Sequence, residues 1–490
     1  MEDNRIYFRI GTNFASEALY FGFDFRTYGV GSPLRANNVY YRIRRPDGSI
    51  AVNSTPWNPA TASNGSINSY TQAVTGPNIG TTVGGYNPLS FQPTVAGEHW
   101  IEFFRSNDGG TTADVSAGTG SRAVAPYFDM TVANNTGTFT KFNGRVHCDK
   151  WGLLATNSTF GNRSDFNSKP DLFVYTEDQV ILRLSFQDGF QPVAYDLAVN
   201  SYGVSNVGSF ANTRRSVNAV AAPPLPDGFK IFLNKPDAVY YPIASVPSLP
   251  SFLTPAITGC GPFNIRFNIS EPGDVQLLLN LNGIAGFQPN TADRILEATD
   301  LAAGNNSVTW NGLDGQGNTV TDGGSIQMIL SYLKGRFNIP LYDAEINKGG
   351  FNVAIIEPVQ IANTRMYWDD TLLTNVGTVC VTNAANDQNN ITSPGINNAI
   401  IGTNSPAHAW NGDGNPTQTI PAPSIGTSET DGLTCNDFGN VRLINTWGYG
   451  IKSDAITTAI FKGCSDLRVV KTFAPNPNYV GGQITFTITA

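Results

Sequence analysis

The sequence is short of charge: Asp, Glu, Lys and Arg make up 14% of its 490 residues, against roughly 25% in ordinary soluble domains. It is shorter still of catalytic bases. Its three histidines, His99, His147 and His408, stand far apart, and none has a second His or Cys at ligand spacing. Lys and Arg (30) are outnumbered by Asp and Glu (38), giving a net charge of -8 and a pI near 5.0. That balance, with no basic run, disfavours nucleic acid as a partner, because phosphate binding needs a basic surface. No apolar run reaches the roughly 20 residues of a helical membrane span. The start, Met1-Glu2-Asp3-Asn4-Arg5, lacks the basic and apolar regions of a signal peptide. Cysteines number five and form no CxxC, so neither a zinc ribbon nor a thioredoxin-type site is indicated.

What is plentiful is turn chemistry. Glycine (50) and proline (30) sit in a background rich in Asn, Thr and Ser. With 40% hydrophobic and 11% aromatic residues the chain can still fill cores. The expected fold is all-β: serial, Ig-like β-sandwich domains in a multi-domain array. Alternating runs support it. Val39 to Arg45 leads into the turn Pro46-Asp47-Gly48-Ser49, and Ala96 to Phe104 alternates like a strand entering a core. A stretch from Asn58 to Gly85, rich in Asn, Ser, Gly and Thr, reads as a long surface loop. The prolines from Pro242 to Pro255 read as a stiff polyproline linker. Residues 293–302 are the one weak helix candidate.

These signals divide the chain into sandwich-like segments 1–135 and 136–245, an Ig-like segment 256–358, a β-rich segment 359–465 with a long polar loop, and a tail 466–490. In the tail, Ser465 to Thr472 and Gly481 to Ala490 read as two alternating strands around a turn. A lone hairpin is marginal in water, so the chain is expected to be a slice of a longer protein. Cys148 and Cys260 look isolated, whereas Cys380, Cys435 and Cys464 share one segment. A bridge within that trio and buried free thiols both fit the spacing.

The run Trp310-Asn311-Gly312-x-Asp314-Gly315-x-Gly317, with its flanking strands, resembles the immunoglobulin-like domain of flagellar hook-capping proteins. That domain type recurs in large surface proteins exported by type IX secretion in gliding bacteria. Leu281-Asn282-Gly283-Ile284, Tyr332 to Gly335 and Leu341 to Glu345 are similar to the same lineage. Trp368-Asp369-Asp370 and Asn445-Thr446-Trp447 are similar to a region that follows it in adhesin-like giants. The start Asp466-Leu467-x-Val469-x-Lys471-Thr472 resembles the opening of a tandem-repeat domain of bacterial cell-surface proteins. The resemblance spans roughly residues 260–490. It implies surface display, adhesion or motility-associated binding outside the cell, and it supplies no catalytic residues.

The sequence contains no GxSxG, HExxH, GxGxxG or Walker-type run. Adjacent Asp369 and Asp370 would point to opposite faces of a strand and could not cooperate. Calcium is the stronger option: Asn411, Asp413 and Asn415, and similarly Asp314, Gln316 and Asn318, place oxygen ligands at alternate positions between glycines. The competing reading is that turns need Asp, Asn and Gly for their own sake. Trp310 and Trp447 lie in apolar strands as core anchors, whereas Trp410 and Trp57 sit in polar loops and are the expected ligand contacts. The leading expectation is a non-catalytic adhesin or stalk on the cell surface, with an extracellular, carbohydrate-type ligand and no cofactor beyond calcium. The alternative is a set of accessory β-domains from an extracellular glycan-degrading enzyme whose catalytic domain lies elsewhere.

Overall fold

The computed structural model describes residues 5–27, 38–57, 64–113, 123–137, 139–154, 170–186, 194–218, 225–253, 256–288, 290–342, 351–362, 364, 366–369, 372, 400–401, 442–464, 470–474 and 485–489. The fold is all-β: among the described residues 52% are strand and 4% helix, in mostly antiparallel sheets. It divides into two compact units: Met1–Val246 with Lys334–Ile451, and Pro247–Leu333 with Lys452–Ala490.

In the first unit a nine-stranded antiparallel sheet runs in the order Phe351–Glu357, Ile181–Phe186, Asp171–Tyr175, Lys230–Phe232, Val146–Cys148, Arg5–Ile10, Gly97–Arg105, Val39–Arg44 and Ile50–Pro56. Alternation sets the register of its central strands. Phe8, Ile10, Ile43 and Ile101 turn to one face and are buried, while their neighbours face the other way. That buried face packs on a three-stranded sheet of Glu17–Phe23, Leu89–Phe91 and Phe128–Asn134, whose Leu19, Phe21, Phe23 and Val132 complete the core.

A second core in this unit draws on distant stretches: Leu172, Leu182 and Leu184 meet Phe337, Ile339, Val353, Met366 and Ile444. It therefore does not follow the expected division at 136–245, 256–358 and 359–465. The sheet pairing is the reason. Phe351–Glu357 hydrogen-bonds beside Ile181–Phe186, and the long strand Ser325–Tyr342 pairs with Ala194–Ala198 through Leu341 and Tyr342.

The second unit is a sandwich. The sheet Ser251–Phe252, Phe263–Ile269 and Gly304–Trp310 faces Gly273–Asn280, Arg294–Leu301, the first part of Ser325–Tyr342 and the end of Arg442–Lys462. Its core is almost wholly apolar around Trp310, Phe267 and Tyr332. The weak helix candidate at 293–302 is a strand here, because Ile295 and Leu296 pair opposite Leu278 and Leu277. Pairing energy overrides so weak a local preference.

Two further expectations change. The Asn58–Gly85 stretch holds a short helix, Tyr70–Thr75, whose Ser69 hydroxyl accepts from Gln72 N at 3.2 Å; within it Ser66, Ile67 and Ile79 are buried. Cys464 bonds to Cys260 across a sequence separation of 204, and not within its own trio. The cause is the parallel pairing of Ala256–Thr258 with Ile460–Lys462, which carries the two Cα atoms to 4.8 Å. Cys380 and Cys435 lie outside the described residues.

The proline segment behaves as a threefold helix should. Tyr241, Ala244, Pro247 and Pro250 are buried at every third position and the residues between them are exposed. The tail pairs as an antiparallel hairpin, Val470–Ala474 with Thr485–Thr489. Among the described residues no helix is long and apolar enough to cross a membrane.

Candidate functional site

A cluster of charged and aromatic side chains lies in the first unit, on the face of the nine-stranded sheet turned away from the core. Five of its nine strands contribute alternate side chains: Arg5, Tyr7 and Arg9; Glu98, Trp100, Glu102 and Phe104; Tyr40, Arg42 and Arg44; His147; Lys230. The strand Arg5–Ile10 shows why. Tyr7 stands opposite both His147 and Trp100, while Phe8 stands opposite His99 on the core side. The two histidines thus belong to opposite faces, His99 stacked on Phe8 at 5.4 Å and His147 on Tyr7 at 5.0 Å.

Glu102 is the anchor. Its side chain is 1% exposed, yet three guanidinium groups converge on it. Arg5 Nε donates at 3.3 Å, Arg42 Nε at 2.8 Å, and Arg44 Nε to both oxygens at 3.2 Å. Trp100 Nε1 adds a fourth donor at 3.1 Å. Burial on its own would push this carboxyl up; the hydrogen bonds from Arg42, Trp100 and Arg44 prevail and hold it below the ordinary range. The cations also cover rings, with Arg5 5.5 Å from the Trp100 centroid and Arg42 5.6 Å from that of Phe104. Arg5 and Arg44 keep about a quarter of their side-chain surface exposed.

Beside this group lies a second one. His147 Nε2 is 3.0 Å from Glu98 Oε2, and Lys230 Nζ donates to Glu98 Oε1 at 2.9 Å. Burial holds His147 at about 4, so the imidazole is neutral at pH 7. With Nε2–H donating to Glu98, Nδ1 carries the lone pair and stands 4.0 Å from Asp149 Oδ1. Burial raises Glu98 as well, but its bonds to His147 and Lys230 outweigh that and bring it to about 2. Burial likewise raises Asp149. The free thiol of Cys148, pushed up to about 12 by burial, is an inert neighbour.

Chemically this is a set of fixed donors and half-covered rings. Glu98 is ionised and doubly held, and Glu102 is saturated with donors, so neither offers the raised pKa of a general acid. Among the described residues no group of three His, Cys, Asp or Glu side chains is placed to hold a metal ion.

The residues singled out in the sequence fare differently. Trp57, expected as a ligand contact, is 5% exposed and packs edge-on to Phe23 at 5.8 Å and Phe25 at 5.6 Å. It is a core residue, because the strand Ile50–Pro56 delivers it straight into the sandwich. Trp410, Asn411, Asp413, Asn415 and His408 lie outside the described residues, as does Asp370. Asp369 is fully buried and paired with Arg215 at 3.0 Å. Asp314 closes its own turn, accepting from Gln316 N at 2.9 Å and Asn318 N at 2.8 Å. Trp310 and Trp447 are core residues, as their apolar strands imply. The outer face itself went unread, although Arg-x-Tyr-x-Arg at 5–9, Tyr-x-Arg-x-Arg at 40–44 and Glu-x-Trp-x-Glu-x-Phe at 98–104 display it with period two.

No family model matches the chain, and no curated protein matches it. A solved structure with some likeness is a DUF4785 family protein from Legionella pneumophila, 11% identical, covering 70% of this chain and 84% of that one with a TM-score of 0.11. A likeness at that level carries no argument.

Proposed function

We propose that this chain is a non-catalytic part of a secreted bacterial cell-surface protein, an adhesin or load-bearing stalk, and that it attaches to an extracellular glycan through the outer face around Glu102. The observation that carries the reading is the make-up of that face: Trp100, Arg5, Arg42 and Arg44, half-buried and held by one carboxylate, beside half-buried Tyr7 and Tyr40. Trp, Tyr and Arg are the side chains that dominate binding energy, since they combine large rigid area with directed donors. Locked rotamers lower the entropy cost of holding a partner. Rings meet the apolar faces of sugars, and guanidinium groups meet hydroxyl, carboxylate or sulfate oxygens. The resemblance to type IX-exported, gliding-type surface proteins points the same way.

The test is binding of the full chain to a panel of neutral and acidic polysaccharides, repeated with Trp100→Ala and Arg44→Ala. Binding weakened about tenfold or more by each change, with unaltered circular dichroism, is expected, that being the cost of about 1.4 kcal/mol. Binding to none of the panel, or binding indifferent to both changes, contradicts the proposal. Polysaccharide cleavage abolished by Glu98→Gln would overturn its non-catalytic part.

A further inference from the structure

The second unit carries a covalent shortcut for tension. The strand Ala256–Thr258 lies parallel to the end of Arg442–Lys462, with Ala256, Ile257 and Thr258 opposite Ile460, Phe461 and Lys462. Gly259 N donates to Lys462 O at 3.0 Å, and directly beyond that bond Cys260 and Cys464 form their disulfide. Ile257 and Phe461 are 2% and 3% exposed, so the pair is embedded in the core. On its other side the later strand is held by Phe461 N donating to Gly324 O at 2.9 Å and Gly323 N donating to Phe461 O at 2.8 Å.

Two features of this arrangement matter to a chain under load. Pulling the segment before Ala256 away from the segment after Cys464 draws two parallel neighbours in opposite directions along their shared axis. Every ladder bond is then strained together, in shear, and none is peeled first. More decisively, the covalent path from one side to the other runs through Cys260, the sulfur–sulfur bond and Cys464. Everything between the cysteines, a separation of 204 in sequence, hangs off that path as a closed loop. The loop contains the strands Phe263–Ile269, Gly304–Trp310, Ser325–Tyr342 and Arg442–Lys462.

We infer that the Cys260–Cys464 bond is a force bypass: tension passing along the chain crosses at this bond and leaves the enclosed strands unextended. The inference rests on the load-bearing side of the proposed function and names the element that carries the load. At about 3.6 Å per extended residue the enclosed loop amounts to roughly 700 Å of chain that cannot be drawn out while the bond stands.

Single-molecule extension of the full chain, held at Met1 and Ala490, tests it. Without reductant, the fully unfolded molecule should stop roughly 700 Å short of its complete contour length. Adding a dithiol to the same folded wild-type molecules should release that length under load. A Cys260→Ser, Cys464→Ser double variant should reach full length on the first pull. Full extension of the unreduced wild type would overturn the inference, and so would a reductant that adds no length; because the wild type is folded before reduction, a poorly folding variant cannot mask the result. The extension readout is independent of ligand. Lost glycan binding with the shortened extension intact refutes only the attachment proposal, and full extension with binding intact refutes only the bypass.

Discussion

The core of the second unit and the outer face of the first solve the same problem, holding neighbouring strands in register, with opposite means. The second unit uses apolar volume and one covalent bond: Trp310, Phe263 and Phe461 pack with centroids 5.1 to 5.6 Å apart, and Cys260–Cys464 closes the sheet beside them. The first unit's outer face uses charge, with Glu102 under three guanidinium groups and Glu98 between His147 and Lys230. Apolar packing and a disulfide are indifferent to pH. A buried neutral histidine and half-buried ion pairs are not. The two regions should therefore fail under different insults, and the charged one keeps donors near the surface where a partner can use them.

The comparison can be broken at its anchors. The largest effect is expected from Trp310→Ala, which removes a fully buried side chain whose Nε1 donates to Leu313 O at 2.8 Å. A loss of about 3–5 kcal/mol, confined to the unfolding of the second unit, should appear in urea denaturation. Next comes Glu102→Gln, which strips the negative charge from beneath three guanidinium groups and leaves them to repel one another. About 3 kcal/mol should be lost from the first unit, and the loss should lessen at high salt.

The smallest effect is acid sensitivity. Burial holds His147 at about 4, below its ordinary 6.5, so the unfolded chain binds the proton more readily between those values. Stability is complete above pH 6.5 and falls as the pH drops towards 4, by about 2 kcal/mol at pH 5. Asp149, raised by burial, acts in the opposite sense, so the histidine's share is read as the difference from His147→Phe in thermal melts at pH 7 and pH 5.

Much of this was legible in the sequence wherever one local rule acts alone. The alternation of Val39–Arg44 and Gly97–Arg105 gave strands, the Trp310 run gave a core anchor, and the prolines after Tyr241 gave a threefold segment. What stayed hidden depends on partners far along the chain. Nothing near residues 293–302 says that Gly273–Asn280 will pair with them, and nothing near Cys464 says that Ala256–Thr258 will lie alongside. The second core of the first unit, which gathers Leu172, Phe337, Val353 and Ile444, is invisible to any reading by consecutive segments. The short helix Tyr70–Thr75 differs in kind: its Ser69-x-x-Gln72 start is a local capping signal inside a stretch whose composition alone reads as loop. Trp57 was misplaced for the same reason, its polar neighbours concealing the strand that leads into it.

Amide hydrogen exchange on the intact chain, read strand by strand at pH 7, at pH 5 and at pH 7 with reductant, tests the central contrast most directly once corrected for intrinsic exchange rates. Reduction should lower protection in Phe263–Ile269 and Gly304–Trp310 and spare Arg5–Ile10 and Gly97–Arg105; acid should do the reverse. Equal loss in all four strands under both treatments would contradict it.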